Sequence, residues 1–72
     1  METLPLDPSL PGVRQLQTWI RQQSRLRIDL GHGHVLEGVL QWQDPEFLAL
    51  KTGAPQVILI NRRAVLLMMV VG

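Results

Sequence analysis

Two segments near the C-terminus, Val57 to Ile60 (VILI) and Ala64 to Val71 (AVLLMMVV), carry apolar side chains at successive positions. A strand turns alternate side chains to opposite faces, so a segment apolar at every position favours burial on both. If such a strand lies at a sheet edge, its unpaired backbone groups also invite another chain to pair. In a chain of 72 residues these demands are hard to meet from within. Ordering costs roughly 1.5 kcal/mol per residue, and one small core barely offsets that. The chain has no cysteine, so neither a disulfide nor a cysteine-ligated zinc can staple it. One helix could cover an end of a small barrel but hardly both strands. The two strands therefore predict neighbours, and edge-to-edge pairing closed into a ring would remove every free edge.

Other classes are excluded by composition. Apolar residues make up 46% of the chain and charged ones 18%, which argues against disorder. The apolar run over 64–71 has eight residues, far short of the ~20 that a membrane helix needs. The opening METLPLDPSLPG has acids and prolines where a secretion signal would have basic residues and an apolar stretch. The expectation is a cytoplasmic protein without membrane insertion.

Residues 1–9 read as an N-terminal arm and 10–72 as one domain. Val13, Leu16 and Ile20, with Trp19 beside them, make the stripe of a short amphipathic helix over about 12–23, with Pro11 tolerated in its first turn. Arg14, Thr18, Arg21 and Arg25 follow another ridge of the helix and its exit. The period then drops to two, predicting five short strands over about 25–71. Leu26, Ile28 and Leu30 alternate with charged residues in the first. Gly31 to His34 form a turn. Leu36, Gly38, Leu40 and Trp42 make one face of the second strand, and Gly38 within it suggests a bend or a close backbone approach. Asp44-Pro45 turns the chain, with Asp44 as a structural acceptor. Phe47 to Lys51 is the third strand, Thr52 to Pro55 another turn, and the two apolar segments, linked by Asn61-Arg62-Arg63, are the fourth and fifth. The fold class is mainly β: one helix, then a bent antiparallel five-stranded barrel.

The helix opening Leu10-Pro-Gly-Val-Arg-Gln15, the run Leu26 to Asp44 ending in Trp42-Gln43-Asp44, and the separate apolar strand pair resemble the Sm-like family. Within it the chain is most similar to the Hfq branch in its short cyanobacterial form. The resemblance covers residues 10 to about 70. It implies a helix-capped bent barrel whose fourth strand pairs with the fifth strand of the next copy. Six copies would make a homohexameric ring, with Val57, Ile58, Leu59, Ile60, Leu66, Leu67, Met68 and Met69 at the joints. It further implies an RNA-binding protein acting in post-transcriptional regulation, with uridine-rich RNA held around the pore.

Carried over by position, the family's pore-side Lys-His falls on Arg62 and Arg63, beside Asn61. Repeated around a ring, these guanidinium groups would attract phosphates. The family's glutamine and aromatic after the strand-two aspartate fall on Pro45 and Glu46, leaving Phe47, one residue later, as the candidate base platform. A shift of one residue normally turns a strand side chain to the other face, which would make Phe47 core. The adenine-binding positions of the opposite face fall on Asp29, Val35 and Glu37, two acids and an apolar residue, which predicts no adenine-rich RNA there. On the outer rim, Arg14, Arg21 and Arg25 are candidate RNA contacts, although a solvated helix face accounts for them equally.

No catalytic or metal chemistry emerges. His32 and His34 flank Gly33 without a third ligand, and Ser9 and Ser24 have no base at a suggestive spacing. The chain is expected to be no enzyme and to need no cofactor. The second reading of the same fold is a protein-interaction ring with little RNA binding. The net charge of +1 and the acids at 29 and 37 favour it.

Overall fold

A computed structural model of the chain describes residue 7 and residues 9–53 and 56–71. Most of the expected arm, and Ala54 and Pro55 of the expected fourth-strand turn, lie outside the described residues. Helix α1 spans Pro11–Gln22, with Leu10 extended as its cap residue and Pro11 in the first turn. A proline there gives up an N–H that has no intrahelical partner anyway. The helix stops one residue earlier than expected because Gln23 turns left-handed, at φ 52°, and Gln23 and Ser24 donate back to the carbonyls of Ile20 and Trp19. Leu16 is buried and Trp19 and Ile20 pack beside it, so the apolar stripe is the core-facing one.

Five antiparallel strands follow: β1 (Arg25–Gly31), β2 (His34–Gln43), β3 (Phe47–Lys51), β4 (Val57–Asn61) and β5 (Leu67–Val70). They form one sheet in the order β4-β3-β2-β1-β5. The sheet folds round a core of Leu26, Ile28, Leu40, Leu48, Leu50 and Ile60, capped by Leu16 from the helix. Leu26 faces Gly38 across the β1–β2 pair. A Cβ on Gly38 would overlap the Lys51 carbonyl oxygen and lie 3.1 Å from Leu50 Cγ, so the glycine marks the close backbone approach that its position suggested. The barrel is not closed. β4 pairs with β3 alone and β5 with β1 alone, leaving both apolar strands as edges.

Three expectations need correction. The fifth strand is four residues long rather than eight, because Arg62–Ala64 wind into a single 3-10 turn capped by the Asn61 side chain. Leu66 then donates to the Asp29 carbonyl at 2.9 Å without continuing the strand ladder. Burial on both faces is also not met within one chain. Ile60 is buried and Ile58 and Met68 pack on the core, but Val57, Leu59, Leu67 and Met69 stand out from the two edges. Trp42, finally, does not share the core face of Leu36, Gly38 and Leu40. A bulge between Leu40 and Trp42 leaves Gln41 unpaired and sets Trp42 opposite Ala49 on the outward face. One extra residue in a strand reverses the side to which every later side chain points.

Candidate nucleic-acid interface

Two turns meet at one end of the sheet. Between β2 and β3 the Asp44 carboxylate accepts from the backbone N–H groups of Glu46 (2.8 Å) and Phe47 (2.6 Å), while the Asp44 N–H donates to the Phe47 carbonyl. Asp44 is thus the structural acceptor expected of it. Between β4 and β5 the Asn61 side chain accepts from the Arg63 N–H at 2.9 Å. The turns are tied together by the Arg62 N–H, which donates to the Glu46 carbonyl at 2.9 Å. Between them lies a recess of about 160 Å³ lined by Pro45, Glu46, Asn61 and Arg63.

The adjacent arginines part company here. Arg63 is exposed at the recess. Arg62 is half-buried, and its Nη1 donates to Gln43 Oε1 (3.0 Å) and to the Asp44 carbonyl (3.2 Å). Gln43 in turn donates to Gln17 Oε1 at 2.7 Å and reaches the Val13 carbonyl at 3.4 Å. Arg62 therefore belongs to a polar network that ties α1 to the ends of β2 and β4. Phe47 pairs with Asn61 across β3 and β4 and is 36% exposed. Being opposite Asn61 places its ring outward rather than in the core. Phe47, Asn61 and Arg63 are thereby brought to one corner, and Arg62 is not.

The expected rim cluster also divides. On the helix, Arg14 donates to the Ser9 carbonyl and Arg21 to the Thr18 hydroxyl, and both are exposed. Arg25 lies beyond the helix, on β1, where its Nη2 stands 3.6 Å from Glu37. Glu37 is held more closely by Arg27, through two hydrogen bonds of 3.1 and 3.2 Å. Asp29 accepts from the Gly31 N–H at 2.8 Å, steadying the β1 bulge beside it, and Val35 opposite is exposed. Both acids of that face are thus engaged by neighbours in the chain.

Sequence reading missed Lys51. It pairs with Val39, which pairs with Arg25, so both cations lie on one outward row across β1, β2 and β3. They line a polar recess of about 270 Å³ with Gln23, Gln41 and Thr52. Only strand register brings together two cations so far apart in sequence. Among the described residues no cluster of His, Cys, Asp and Glu could hold a metal ion. Hydrogen bonding to Ser9 lowers the pKa of Asp7, at the approach to α1 and away from these recesses.

An apolar groove of about 510 Å³ runs between α1 and β5, lined by residues that include Val13, Leu16, Trp19 and Met68, with Arg62 at its side. No described helix is long and apolar enough to cross a membrane. No curated protein sequence matches the chain significantly. The crystal structure of an Hfq protein from Anabaena sp. does match, with a TM-score of 0.75 at 31% identity, covering 85% of this chain and 97% of that one. The family model described as Hfq related matches residues 10–70. The helix, the five-strand order and this match over nearly the whole domain agree, and the chain belongs to the Hfq-related family.

Proposed function

We propose that the chain assembles into a homohexameric ring through its β4 and β5 edges and binds uridine-rich single-stranded RNA on the pore side. Its role is post-transcriptional regulation in the cytoplasm, by binding and without catalysis. The observation that carries this reading is the recess where exposed Arg63 stands beside Asn61, whose partner across the β3–β4 pair is the outward-facing Phe47. A guanidinium and an aromatic ring on either side of Asn61 would offer a phosphate contact and a stacking face. Six such corners around a pore would multiply a contact that is weak in one copy. Arg62 contributes by holding the two turns together, through Gln43, Asp44 and the Glu46 carbonyl.

The test is a titration of the purified protein with a fluorescent uridine-rich 16-mer at several salt concentrations. Arg63→Ala is expected to weaken binding by about tenfold and to flatten its salt dependence, at unchanged thermal stability. Arg62→Met is expected to lower the melting temperature, because it removes two hydrogen bonds of the helix-to-turn network. Parent-like affinity in Arg63→Ala would sink the pore assignment.

A second reading, a protein-interaction ring, is favoured by exposed Val35, Leu67 and Met69 around the Arg27–Glu37 pair. A partner that stays bound to the ring after ribonuclease treatment supports it. Loss of every partner on that treatment favours RNA.

A further inference from the structure

The apolar groove between α1 and β5 plays no part in the corner at Arg63. It holds about 510 Å³ between Leu10, Val13, Leu16, Trp19 and Met68, and Arg62 is the one ionisable residue on its described wall. Leu10 is 53% exposed, and Val13 and Trp19 are half-buried, so the groove presents apolar surface to water. A slot of this kind calls for apolar side chains to cover it.

The chain reaches α1 at one end of this groove. The Leu10 N–H donates to the Asp7 carbonyl at 3.0 Å, and the Asp7 carboxylate accepts from the Ser9 N–H at 2.9 Å. Arg14 braces the same turn through the Ser9 carbonyl at 3.1 Å. Asp7 thus stands one tight turn away from Leu10, at the groove's mouth.

Ahead of Asp7 the sequence reads Met-Glu-Thr-Leu-Pro-Leu, residues 1–6, outside the described residues. Pro5 biases Leu4 toward extended backbone, and in an extended segment Leu4 and Leu6, two positions apart, share one side. Six extended residues reach about 20 Å, and the 12 residues of α1 are about 18 Å long. The segment is therefore long enough to follow the groove from Leu10 to Trp19. Glu2 carries the charge opposite to that of Arg62. A segment tethered this closely meets the groove at an effective concentration of about a millimolar or more, so weak contacts suffice to seat it.

We infer that residues 1–6 fill the groove of their own chain, with Leu4 and Leu6 packed along Val13, Leu16 and Trp19 and Glu2 drawn toward Arg62. The strap covers apolar surface of α1 that the sheet leaves open. The inference requires neither RNA binding nor ring assembly.

The experiment follows Trp19 fluorescence in the full-length protein carrying Trp42→Phe, which leaves Trp19 as the single tryptophan. Because the chain has no cysteine, Thr3→Cys gives one site for a nitroxide label, which quenches a tryptophan only at short range. Loss of most of the Trp19 emission is expected, with recovery when the label is reduced. Adding Leu4→Ser and Leu6→Ser is expected to restore the emission with the label still active. Refolding the labelled chain with an excess of unlabelled chain bearing Trp19→Phe and Trp42→Phe tests whose groove is filled. Quenching that persists supports a strap within one chain, and quenching that is lost overturns it in favour of exchange between copies.

Should the label itself hinder seating, deletion of residues 1–6 decides instead. A red shift of Trp19 emission, at unchanged helix content by circular dichroism, is then expected. Emission that ignores both the label and the deletion overturns the proposal. A groove covered by Val57 and Leu59 of another copy would give that result.

Discussion

Single residues in this chain do work that their type alone does not announce. Gly38 is needed for space, since any Cβ there meets the Lys51 carbonyl and the Leu50 side chain. Gly38→Ala is therefore expected to destabilise the fold by about 1–3 kcal/mol, read as a lower urea midpoint. An unchanged midpoint would mean that β3 can move away freely. Asp44 and Asn61 each accept a backbone N–H at the turn they begin, and the pair shapes the corner where Arg63 emerges. Arg62 shows the limit of reading charge from sequence. Two adjacent arginines suggest two equivalent phosphate contacts, yet one faces Gln43 and the Asp44 carbonyl while the other borders the recess.

Among the elements, the helix was legible from its apolar spacing, and its ends differ from expectation by a single residue. The strands were legible from the change of period, apart from β5, where the turn over Arg62–Ala64 took residues that looked like strand. Periodicity could not detect this, because an apolar residue is apolar in either geometry. Nor could it detect the bulge at Gln41, which moves Trp42 from the core face to the outward one. At β4, exposed Val57 and Leu59 border an edge that has no partner within the chain. Substituting lysine for both places charge along that edge without burying it. The double variant is expected to remain folded by circular dichroism and to run as a monomer in light scattering. If it keeps the parent's mass, the β4 edge is not the joint.

For the whole molecule the consequence is mass action. In the proposed ring the apolar edges are covered by neighbouring copies, so assembly would stabilise the chain and its melting temperature would depend on concentration. The melting temperature is expected to rise by several degrees over a hundredfold increase in protein concentration, by calorimetry, and to be independent of concentration in the β4 lysine variant. The net charge of +1 must also be understood by region. Glu37 offsets Arg27 and in part Arg25, while Arg63 and Lys51 stand at recesses in different parts of the surface. A total near zero thus coexists with a recess lined by two cations, Arg25 and Lys51, while Glu46 stands with Arg63 at the other.

By itself the sequence determined the order of elements and most of the core-facing residues, and it raised the expectation of partners, because these follow from local periodicity and from counting apolar positions against a small core. Its resemblance to the Hfq branch followed from residues close together in the chain. Tertiary structure alone decided which cations share a site, since strand register joins Arg25 to Lys51 and separates Arg62 from Arg63. It also decided that Trp42 faces outward, because one unpaired residue resets the alternation on which the sequence reading relied. The two apolar strands remain the least satisfied part of the single chain. Within one chain they are edges, and the proposed pairing with other copies is what would bury them.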